Sequence, residues 1–123
     1  MKIVSVAIGG AFGAVARYLI NISPLNGALG KFPLPTFVIN VAGCFLIGLC
    51  LILLTDKWDV SENLRMAVVV GFLGAFTTFS TFEAEIYGLM REQQLVAALA
   101  YLALSVLLGF IGVVGGISVG RRL

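Results

Sequence analysis

A chain of 123 residues that is 60% hydrophobic and 11% charged, with mean hydropathy +1.10, falls outside the composition of soluble domains. Its formal net charge of +2 is small and scattered, which excludes a nucleic-acid partner. With no histidine, no metal-ligand cluster and no nucleophile beside a base, it offers no basis for an enzyme.

Crossing the hydrocarbon takes roughly 20 apolar residues, and four stretches of that order predict an all-α membrane protein in a single domain, residues 1–123. The first predicted span covers residues 3–22. It resembles a signal peptide in hydropathy, but Arg17 lies late in it and no small-residue cleavage site follows, so it is read as a retained helix. Asn, Gly, Lys and Pro residues then make a surface loop. The second span covers residues 34–54, with the polar Asn40 near its start and Cys44 and Cys50 on different faces, a spacing that suggests neither a disulfide nor a metal pair. Asp56, Lys57, Trp58, Asp59 and Glu62 form a polar connection in which Ser61 is placed to cap the next helix. The third span covers residues 64–89 and the fourth residues 95–119, separated by Arg91, Glu92, Gln93 and Gln94.

Four spans put both termini on one side. Lys2, Lys57, Arg65, Arg121 and Arg122 then oppose Arg17, Lys31 and Arg91, a bias too weak to choose an orientation firmly. Chains of this length have little interior in which to build a path, so a homodimer is expected, and the weak bias points to two oppositely inserted copies.

The third span holds Gly71-Phe72-Leu73-Gly74-Ala75-Phe76-Thr77-Thr78-Phe79-Ser80-Thr81-Phe82. Glycines and clustered threonines are poor helix formers, so a break is expected near Gly74 to Thr78, tolerated where protein or a water-filled cavity satisfies the freed backbone. Small residues that simply permit close helix packing are the alternative. Phe79 and Phe82, three apart, share a helix face and present either packing surface or ring edges of positive partial charge. The Asn40 amide either bonds a neighbouring helix or serves as a donor in a pore. Ser80 and Thr81 either bond back to a carbonyl one turn earlier or offer free hydroxyls. Tyr101 and Ser105, four apart on one face, add two hydroxyls. Arg17 either snorkels to the interface or makes a vestibule positive. Glu83 and Glu85 fall on different faces late in the span, where carboxylates need water or a partner.

With Gly9-Gly10-Ala11-Phe12-Gly13-Ala14-Val15-Ala16-Arg17-Tyr18 and Thr36-Phe37-Val38-Ile39-Asn40-Val41-Ala42-Gly43 in the same order, the third-span segment resembles the signature of the Fluc (CrcB) family of small fluoride channels, and the resemblance spans nearly the whole chain. It implies passive export of fluoride across a bacterial plasma membrane by an antiparallel, dual-topology homodimer. By position, Asn40, Phe79 and Phe82 become pore residues, Tyr101 and Ser105, through short matches, further anion contacts, and Arg17 and Glu85 vestibule residues; Ser80 and Thr81 join the anion contacts as hydroxyl donors beside the rings, and nothing carries over to Glu83. The backbone carbonyls of Gly74 and Thr77 correspond to those that hold a central sodium ion between two subunits. Fluoride is small and strongly hydrated, so any such route must replace its water with donors or positive partial charges. A rival class, the small multidrug exporter, has the same span number but uses a carboxylate in its first span, where this chain has Arg17 and no acid. A scaffold subunit would need only the glycines.

Overall fold

The computed structural model describes residues 1–123 and is entirely helical apart from its connections. Four helices are long and apolar enough to cross a membrane: α1 (Lys2–Asn21), α2 (Leu34–Lys57), α3 (Glu62–Arg91) and α4 (Leu95–Arg122). The shortest, α1, has 20 residues, a length of about 30 Å at 1.5 Å per residue and enough to match the hydrocarbon core. Helical hydrogen bonding continues past the apolar stretches into polar residues such as Lys57, Arg91 and Arg122, because interface water does not compete with a helix already nucleated in lipid.

Local chemistry sets the ends. Proline in the first turn starts α2, where a missing N–H leaves no bond unmade. Ser61 accepts from the Leu64 N–H at 3.2 Å and Glu62 follows in the first turn of α3, favourable at the positive end of the helix. Arg121 and Arg122 occupy the last turn of α4, at its negative end. The α1–α2 connection turns through Gly27 at φ +83° and Gly30 at φ +65°, conformations that side chains with a Cβ resist.

Two helix pairs form the body: α1 against the first half of α3, and α2 against α4. Both rely on backbone approach. A Cβ on Gly9 or Gly13 of α1 would collide with the Ala67 or Phe72 carbonyl of α3, and one on Gly48 or Gly116 would collide with the facing backbone of α4 or α2. At most 33% of any span is buried within the chain, so most of each helix faces lipid or another copy.

The third helix is broken. Its first half (62–76, π-helical over Met66–Leu73) and its second half (Ser80–Arg91) are separated at residues 77–79, where Thr77 is extended at φ −83°, ψ 157°. The break lies at the C-terminal edge of the expected stretch. Gly74 itself is helical at φ −61°, ψ −38°, so the threonines rather than the glycine interrupt the helix. Across the break α3 changes partner, leaving α1 and packing its second half on α4.

Candidate functional site

The break frees backbone groups in the middle of an apolar span, and α2 meets them with one helix face. Asn40 Nδ2 donates to the Thr78 carbonyl at 2.9 Å, and the Thr78 N–H donates to Asn40 Oδ1 at 2.9 Å. Three residues on, Gly43 lies against the Thr77 methyl, and a Cβ there would occupy the same space. Thr77 Oγ1 donates back to the Leu73 carbonyl at 2.9 Å, which fixes that methyl toward α2.

Diverting the Thr78 N–H has a consequence one turn earlier. In a continuous helix it would donate to the Gly74 carbonyl; here that carbonyl, and the Thr77 carbonyl on the other side of the bend, accept no backbone N–H. Both residues line a groove of about 370 Å³ with Asn40, Gly43, Cys44 and Phe79. The groove is apolar apart from the Asn40 amide, the threonines and these carbonyls, a donor set of neutral oxygens that suits a hard monovalent cation rather than a soft metal.

On the other side of the break the aromatic residues form a chain of ring contacts. Phe79 is 73% exposed at the groove, and its ring centroid lies 6.0 Å from that of Phe82, which is buried. Phe82 meets Tyr101 edge-on at 4.9 Å, and Tyr101 meets Phe32 edge-on at 5.3 Å. Edge-on pairs turn ring hydrogens, the positive part of the quadrupole, toward their neighbours. The Tyr101 hydroxyl donates to Glu85 Oε1 at 2.9 Å, and Thr36 Oγ1 donates to Glu85 Oε2 at 3.1 Å, so one carboxylate ties α2, α3 and α4 together. Ser105, one turn beyond Tyr101, has a buried hydroxyl with no partner. Ser80 is exposed beside Phe79, and Thr81 is half-buried.

A second cavity, of about 330 Å³, opens at the α1–α2 loop and is mainly polar; Asn21, Asn26, Lys31, Glu85 and Glu92 line it with glycine and proline. Lys31 and Glu92 form an ion pair at 2.9 Å across its rim. Glu85 thus connects this cavity to the ring chain.

The structure brings Asn40, Phe79, Gly74 and Thr77 together at the groove, and Phe82, Tyr101 and Glu85 in the contact chain behind it. Arg17 does not line this second cavity; it is half-buried on α1, and the basic residue at the cavity mouth is Lys31. Glu83 is exposed and takes no part. Thr36 and Phe32 are members of the site that sequence reasoning passed over, and Thr78, expected only as the end of the break, is the residue that Asn40 bonds. Thr36 had a signal, since a hydroxyl four residues before Asn40 shares its face.

The sequence pattern of the family described as CrcB-like protein, Camphor Resistance (CrcB), matches residues 4–117. A protein of Acidobacterium capsulatum named "Fluoride-specific ion channel FluC" is 45% identical over all of this chain and 98% of its own length. Proteins with the same name from Hahella chejuensis and Solibacter usitatus are 45% and 43% identical, over 97% and 99% of this chain and 94% and 100% of theirs.

Proposed function

This chain belongs to the CrcB family, and from that premise we propose that it is a fluoride-selective channel, a multi-pass protein of the bacterial plasma membrane that lets fluoride leave the cytoplasm down its gradient. The observation that carries this reading is similarity over the whole length to relatives named for fluoride, with the broken span inside the matched region. Nothing in the comparisons favours a proton-coupled exporter.

Two copies in opposite orientations pair over the groove, in keeping with the weak charge bias and with the small share of each span buried within one chain. The Gly74 and Thr77 carbonyls of each copy then converge on a sodium ion; their lack of N–H donors is what supports this assignment. When bound, that ion supplies a fixed positive charge that lowers the cost of an anion nearby. The anion passes Phe79 and Phe82, whose ring edges replace part of its water, helped by the second Asn40 amide hydrogen, Ser80, Thr81 and Ser105. Tyr101 and Glu85 carry the route on to the vestibule; Arg17 acts on it only through its distant charge.

Purified protein in liposomes tests the reading. Fluoride release, followed by a fluoride electrode, should be rapid and should leave chloride inside; vesicles as tight to fluoride as protein-free ones would end it. Release of an organic cation driven by a proton gradient would instead support the exporter.

A further inference from the structure

We infer that Asn40 is the positioning residue that keeps the third span open: by holding both backbone groups of Thr78, it withdraws the N–H that would otherwise close the helix onto the Gly74 carbonyl. The role is distinct from contact with a passing ion. A helix interrupted in lipid tends to heal, because each free carbonyl lacks water and the next N–H is within reach. At Thr78 the competitor is fixed and bidentate in the sense that one amide both donates and accepts, at 2.9 Å each way. Gly43, on the same face, admits the Thr77 methyl that the extended residue turns toward α2. Asn40 thereby decides whether the Gly74 carbonyl is free to ligate anything. The inference rests on the proposed cation site for its ligand, but the backbone change it predicts does not.

The sequence contains one Thr-Thr pair, Thr77-Thr78, so protein carrying carbonyl-13C and 15N threonine gives a single linked signal that reports the Thr77 carbonyl and the Thr78 amide. Asn40→Leu removes both bonds at similar volume. Asn40→Asp keeps the acceptor for the Thr78 N–H and replaces the donor with a carboxylate oxygen. In bilayers, Asn40→Leu should shift the Thr78 amide signal, whereas Asn40→Asp should hold it near the parent position. Addition of sodium should move the Thr77 carbonyl signal in the parent and in Asn40→Asp. The sodium concentration needed should rise at least about tenfold in Asn40→Leu, the change expected when a buried hydrogen-bonding group loses its partner.

An Asn40→Leu spectrum that keeps the parent Thr78 signal and sodium response would overturn the inference. So would an Asn40→Asp spectrum that loses both, and this arm stands even where the leucine variant fails to fold. If no threonine carbonyl in the parent responds to sodium, the cation proposal falls and the Thr78 amide alone decides the role of Asn40.

Discussion

Gly74→Ala separates what one chain needs from what two chains need. Nothing lies within 4 Å of the place where a Cβ would go, and the residue is already helical at φ −61°, ψ −38°. Within one chain the substitution therefore meets no obstacle and gains about 0.5–1 kcal/mol of helix propensity. Covered by a second copy packed at interior density, the same methyl overfills the contact by about 1–3 kcal/mol. A symmetric pair contains the site twice, so the dimer loses about 2–6 kcal/mol, and the lower end already raises its dissociation constant roughly thirtyfold. Subunit pairing measured by single-molecule photobleaching over a lipid dilution series gives that constant, and circular dichroism at the dilute end checks that the helices persist. A dissociation constant within about threefold of the parent, roughly 0.6 kcal/mol, would show that the groove faces lipid and that the pairing is wrongly placed.

Phe82→Ile removes the ring that links Phe79 to Tyr101 while keeping a buried apolar side chain, and fluoride efflux from liposomes should slow at least about tenfold, about 1.4 kcal/mol in the barrier, with pairing unchanged. Unaltered efflux would remove ring edges from the route. Tyr101→Phe keeps the ring contact and takes one of two donors from Glu85; denaturant unfolding in detergent should show a loss of about 1–3 kcal/mol, and a loss below about 0.5 kcal/mol would mean that the hydroxyl does not hold the carboxylate. Gly116→Val drives a side chain into the Phe45 carbonyl where α2 and α4 touch, and should cost at least about 3 kcal/mol in the same measurement; a loss under about 1 kcal/mol would show that the pair can part freely.

Hydropathy made the four spans legible because lipid sets a length and a composition that few other folds share. The break was legible in type and nearly in place, since clustered threonines oppose a helix whatever surrounds them. Its exact residue was not, because the choice between Gly74 and Thr77 is made by α2: Asn40 is 38 positions away from Thr78 in sequence, and only the fold brings them to 2.9 Å. The Tyr101 hydroxyl shows the same limit. A phenol on an apolar span announces that it needs a partner but not that the partner is Glu85, one helix away. The polar cavity at the α1–α2 loop was not legible either: a charge near a span end, such as Arg17, marks an interface in general, whereas this cavity is lined by a loop that carries Lys31.

The polar groups at the break divide unequally. Asn40 satisfies the N–H and the carbonyl of Thr78, but the carbonyls of Gly74 and Thr77, two residues that line the groove, accept no backbone N–H. An unmet carbonyl in a water-poor medium costs about 2 kcal/mol or more, so a lone chain facing lipid carries a penalty of several kcal/mol at this point. Water, a cation or a second subunit can relieve it, and the apolar lining of the groove, with Ile47, Val69 and Leu73, disfavours water. If a second copy covers this surface as proposed, the contact that relieves the penalty would also drive pairing, and a cation held there would lower the cost of an anion nearby. In that arrangement assembly and the anion's path would both draw on Gly74 and Thr77, together with Asn40, which holds both backbone groups of Thr78.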